Sequence, residues 1–155
     1  MNERQIELVQ ASFNQVLPIS QTAGELFYGR LFELDPSLRL MFRGDMNEQI
    51  HKLMSMLKVV VTSLTRLDAI LSAVKALGAR HVGYGVVDSH YDTVASALLW
   101  TLEKGLGDAF TDEVREAWIE VYMLLTGVMK DAAAQAQQAP ERMLVMAGPT
   151  TGILL

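Results

Sequence analysis

The chain has no cysteine. Disulfide staples, zinc–thiolate sites, iron–sulfur clusters and thiol catalysis are thereby excluded, and a reducing compartment such as the cytoplasm is compatible with the composition. Positive charge is in deficit: 13 Lys and Arg stand against 18 Asp and Glu, for a formal charge of −5. The basic residues are scattered, without the patch or stripe that nucleic-acid binding needs. Long apolar runs are missing too. No window of about 18 apolar residues occurs, so no membrane span is expected. The opening MNERQIE is polar and acidic, unlike a secretory signal. Persistent strand-type alternation is absent as well. Val59-Val60-Val61 and Val86-Val87 are the β-branched runs, and both lie in helical surroundings.

What remains is a chain of 155 residues, half of them apolar and a fifth charged. That size suits one domain that buries roughly 70% of its unfolded surface and can enclose a ligand pocket. The pattern is helical throughout. Ile6, Val9, Phe13 and Val16 share one face of a first segment that stops at Pro18. A second, near 20–34, carries Phe27, Leu31 and Leu34, with Ser20 as its expected N-cap. Asp35-Pro36 starts a short helix to Phe42, because Asp caps and Pro suits a first turn. Arg43-Gly44-Asp45 reads as a loop. Segments near 47–66, 68–81, 88–104 and 111–137 follow. Gly83-Tyr84-Gly85 and Gly105 with Gly107 punctuate them, and Thr111 supplies a capping hydroxyl for the last. The expectation is an all-α fold of seven or eight helices over residues 1–137. Residues 138–155, with Pro140, Gly148, Pro149 and Gly152, read as an irregular tail.

Chemistry-bearing residues are few. His81 follows Leu77 by four residues on an apolar stripe, where a histidine is either a satisfied core residue or a ligand. His51 points away from the stripe Gln49, Leu53, Leu57, Val60 and reads as solvated. His90, in Asp88-Ser89-His90-Tyr91, reads as an exposed first-turn residue. No HExxH, GxSxG or dinucleotide-type glycine pattern occurs. Tyr28 adjoins the stripe of Phe27 and Leu31, and Gln49 leads the stripe of Leu53. Each alone is an ordinary helix residue or a site residue.

Taken together, the segments resemble the globins, specifically bacterial single-domain globins and the haem domains of flavohaemoglobins. LFYGRLFELDPSLRLMF, Leu26 to Phe42, is similar to the family's second and third helices and its haem-packing phenylalanine, Phe42. NEQIHKLMSML resembles the start of the distal helix. LGARHVGYGVVDSHYDTV, Leu77 to Val94, resembles the proximal helix and the corner after it, with His81 as iron ligand. EAWIEVY, Glu116 to Tyr122, resembles the start of the last helix. The 32 residues from Gln49 to His81 fit the family spacing.

The resemblance implies a globin fold around haem b (iron protoporphyrin IX), with His81 as the metal ligand. Phe42, Leu53, Leu77, Val86, Tyr91, Val94 and Leu98 would line the slot. Lys52 either reaches a propionate at the haem edge or is a plain surface lysine. Tyr28 and Gln49 would face bound dioxygen, a flavohaemoglobin-like distal pair. The implied function is tight, reversible oxygen binding, with nitric oxide and carbon monoxide as further gas ligands. The alternatives are a nitric oxide dioxygenase that relies on a separate reductase, and a gas-sensing regulatory module. Tyr91 matches the family's proximal tyrosine. The last helix offers Ala132, Ala133, Ala134 and Gln135 where its partner glutamate would stand.

Overall fold

A computed structural model describes residues 1–42, 44–83 and 88–137, without the side chains of 81–83, 88, 136 and 137. Among the described residues there are six α-helices, four short 3-10 segments and no strand. The helices are α1 (Glu3–Val16), α2 (Ser20–Leu34), α3 (Met46–Thr62), α4 (Leu71–Gly83), α5 (Asp88–Leu106) and α6 (Asp112–Gln137). The short helix expected after Asp35 is the 3-10 segment Pro36–Met41. With it, the count among the described residues is seven, the lower of the seven or eight expected from the sequence.

Local chemistry sets most boundaries. Asn2 and Gln5 close a reciprocal capping box on α1. Asp35 accepts from the Ser37 amide at 3.1 Å, as its place before a proline suggested. Asp45, read as a loop residue, instead caps α3 through the Asn47 amide at 2.9 Å. Thr111 caps α6, its hydroxyl oxygen accepting from the Val114 amide at 3.2 Å. Ser20 is not a cap. The 3-10 turn Leu17–Ile19 runs straight into α2, so the Ser20 amide bonds to the Leu17 carbonyl and no side chain is needed. α3 ends at Thr62, earlier than the apolar stripe suggests. The Thr62 hydroxyl donates back to the Lys58 carbonyl at 2.7 Å, and the Ser63 amide splits between Val59 and Val60. α5 stops where Gly107 takes a positive φ of 57°, a conformation that glycine adopts without steric cost.

The helices pack α4 on α6, α2 on α5, α1 on α6 and α2 on α3. Two glycines let helices approach closely, Gly24 against the Ile50 side chain and Gly78 against the Met129 backbone. A Cβ on Gly24 would collide with Ile50, and one on Gly78 would collide with the Met129 carbonyl. The core centres on Trp118, Phe13, Phe27, Leu31 and Leu53. Trp118 satisfies its indole N–H by donating to Ser12 Oγ at 2.9 Å, which ties α6 to α1. α3 and α4 carry Gln49 and His81, and no substantial packing joins these two helices among the described residues. No described helix is long and apolar enough to cross a membrane.

Candidate functional site

The site begins with two polar side chains in an apolar wall. Gln49, in the first turn of α3, and Tyr28, in the middle of α2, are both buried. The Gln49 amide donates to the Tyr28 hydroxyl oxygen at 3.3 Å. The pairing follows from the α2–α3 crossing at Gly24 and Ile50, because Tyr28, one turn after Gly24, and Gln49, next to Ile50, come into reach. Aromatic rings enclose the tyrosine. Phe27 stands edge-on at 4.9 Å, Phe42 edge-on at 5.3 Å and Phe32 stacked at 6.1 Å. Phe42 and Phe32 also meet, at 5.5 Å.

Burial disfavours the tyrosinate, so the Tyr28 pKa is pushed well above its usual range, with the Gln49 hydrogen bond opposing this in part. The hydroxyl therefore stays protonated. Since its oxygen accepts from Gln49, its own proton is left to be donated elsewhere.

The other expected residues fall into separate places. Leu53 and Leu98 are buried and share a small cavity of about 20 Å³ with Phe27, Met54 and Trp118. Leu77 and Val94 are buried on α4 and α5. Lys52 is half-buried on α3, beside exposed His51. His81 lies in the last turn of α4, but its side chain is outside the described residues, and so is all of Val86. Tyr91 is buried at the start of α5, some way along the chain from the distal cluster. Its carbonyl accepts from the Tyr122 hydroxyl at 2.6 Å, and Lys130 Nζ stands 5.4 Å from its ring centroid. The structure thus brings Tyr28, Gln49 and Phe42 together and sets Tyr91 in a second cluster between α5 and α6.

Three participants were not read from the sequence. Phe32 lies one turn after Tyr28, a spacing that could have revealed it. Tyr122 lies one turn after Trp118 and is equally legible. Lys130 gave no signal beyond its charge. A cavity of about 480 Å³ also lies between α5 and α6, and of the expected pocket residues among those described Tyr91 and Leu98 line it.

Six helices packed with a buried hydroxyl–amide pair define an all-helical protein with a polar site in an apolar interior. The globin family model matches residues 25–129, and the chain belongs to the globin family. Membership implies haem binding. A flavohemoprotein of Xylella fastidiosa is 33% identical over 132 residues, which are 83% of this chain and 33% of that protein. The chain thus spans about a third of the length of the flavohemoproteins it matches. A neuroglobin of Chaenocephalus aceratus is 27% identical over 149 residues, 87% of this chain and 94% of that one. An engineered carbene transferase, a putative nitric oxide dioxygenase from Rhodothermus marinus, superposes with a TM-score of 0.82 at 28% identity. That superposition covers 91% of this chain and 99% of the other.

Proposed function

We propose that the chain holds haem b through His81 and binds dioxygen reversibly and tightly, with Tyr28 and Gln49 as donors to the bound gas. The observation that carries this reading is the buried Gln49–Tyr28 hydrogen bond inside a cage of Phe27, Phe32 and Phe42. The residues fit the cofactor. An apolar and aromatic wall suits a porphyrin face, and two neutral donors suit a polar diatomic ligand. The helices bearing Gln49 and His81 do not close on each other among the described residues.

When bound, haem would be held by the His81 imidazole, and its iron would supply the site for a diatomic ligand. The protein does the rest. Phe42, Leu53, Leu77, Val94 and Leu98 exclude water from the slot. The Tyr28 O–H and the Gln49 amide donate to a ligand that carries partial negative charge. A hydrogen bond to a charged group contributes about 1.5–3 kcal/mol, and each 1.4 kcal/mol is about tenfold. Two donors together slow oxygen release by about a hundredfold or more.

A second reading is nitric oxide dioxygenation with a separate reductase. It is favoured by the likeness to the Rhodothermus marinus protein. The run Ala132-Ala133-Ala134-Gln135 provides no carboxylate to strengthen an iron ligand, which favours oxygen binding over this chemistry.

The test is reconstitution with haem. The chain should develop a Soret band, and His81→Ala should lose it. Tyr28→Phe with Gln49→Leu should keep the band and speed oxygen dissociation by about a hundredfold. An unchanged dissociation rate refutes the distal reading, and a normal ferrous spectrum in His81→Ala refutes the ligand.

A further inference from the structure

One face of α6 lies largely uncovered, with Lys130 half-buried beside the Tyr91 ring near one end. Glu116, Glu120, Met123, Gly127, Lys130 and Ala134 recur at alternating intervals of four and three. That spacing aligns them in one stripe about 27 Å long. The middle of the stripe is apolar and open. Met123 is 63% exposed and its neighbour Leu124 39% exposed, and a Cβ on Gly127 would meet nothing within 4 Å. Along one flank runs the groove of about 480 Å³ between α5 and α6, walled by Ala95, Leu99, Ile119, Met123 and Thr126. The two ends of the stripe differ in charge. Glu116 and Glu120 occupy the N-terminal end and Lys130 the C-terminal end. None of the three makes an ion pair among the described residues.

Acid at one end, base at the other, and a protruding thioether next to a glycine gap form a surface complementary to itself when turned round. A two-fold axis across α6 at Leu125 sets Glu120 opposite Lys130 and Met123 opposite Gly127. Shifting the axis breaks both pairings at once, and a parallel arrangement opposes like charges. We propose that this stripe is a homodimer interface. Two copies of α6 pair antiparallel, the Met123 of each enters the groove beside Gly127 of the other, and Glu120 of each faces Lys130 of the second copy. Such a contact is isologous, so every favourable pair occurs twice. Burial of Met123 and Leu124 supplies the attraction, and the charge pairs fix the register. The proposal is independent of the haem reading.

Sedimentation velocity of the full chain, with and without added haem, over a dilution series tests it. A concentration-dependent dimer is expected. Met123→Asp, at an exposed position, should raise the dissociation constant at least about tenfold. Glu120→Lys and Lys130→Glu should each weaken the dimer. The two combined should restore it to within roughly threefold of the original, the coupling a double-mutant cycle reports. A chain that stays monomeric throughout overturns the proposal. So does a dimer indifferent to Met123→Asp, or a double variant no tighter than either single one. Far-UV circular dichroism on every variant confirms folding, and the charge-exchange set decides the matter even if Met123→Asp does not fold.

Discussion

Two buried tyrosines show how single side chains set the behaviour of this protein. Burial raises the pKa of Tyr28, and burial with the nearby Tyr91 and Asp92 raises that of Tyr122. In the unfolded chain both would release a proton near pH 10. Above that pH the unfolded state binds fewer protons than the folded one, so stability falls as pH rises. Below it both states are protonated and the contribution is constant. Urea midpoints should therefore drop between about pH 9 and about pH 11. The drop should be shallower in Tyr28→Phe and in Tyr122→Phe, and equal slopes in wild type and variants would contradict the assignment. Ser12 carries a third residue-scale prediction. It accepts the indole N–H of Trp118 at 2.9 Å, and both side chains are buried. Ser12→Ala leaves that donor without a partner and should cost about 1–3 kcal/mol in chemical denaturation. A loss below about 0.5 kcal/mol would show that the indole finds another acceptor.

Elements meet here through their glycines, and α4 depends on this most. Gly78 lies against the Met129 backbone, with its missing Cβ directed at the carbonyl. A backbone atom in mid-helix cannot yield as a flexible side chain can. Gly78→Ala should push α4 off α6 and destabilise the fold by about 1–3 kcal/mol. Thermal melts would show it, and an unchanged midpoint would mean that the two helices slide apart freely. The same close contacts explain what the sequence could and could not reveal. Helix positions follow from apolar stripes such as Val9, Phe13 and Val16, and from caps such as Asp35 and Thr111, because both act within one or two turns. Ser20 misled because a preceding 3-10 turn satisfied the helix start through its own carbonyl, an arrangement that residue type does not encode. Tyr28, Gln49 and Phe42 were legible only as a constellation. Each alone is an ordinary helix residue, and their meeting depends on a crossing of α2 and α3 that no local pattern specifies. Lys130 escaped notice because it acts on Tyr91, which lies 39 residues away in sequence.

On the scale of the whole molecule, the folding unit is set by where burial ends. The family match stops at residue 129, and Met129 is also the last fully buried apolar residue among those described. α6 continues to Gln137, but its final turns add no described core side chain. Among the described residues, the hydrogen bonds that link distant segments, Arg4 to Glu113, Gln10 to Val61, Trp118 to Ser12, Gln21 to Asn47, Gln49 to Tyr28 and Tyr122 to Tyr91, all lie within residues 4–122. A chain cut after Gln137 therefore retains every described core contact and the whole candidate site. Such a truncation should match the full chain in helical circular dichroism and Soret intensity. Its unfolding free energy should change by less than about 0.5 kcal/mol, the usual range for changes away from buried features. The opposite result is equally informative. The run Met143 to Ala147 is apolar enough to bury roughly 25 cal/mol per Å² of covered surface. A loss of more than about 2 kcal/mol on truncation would mean that this run packs on the body, and the folding unit would then extend past residue 137.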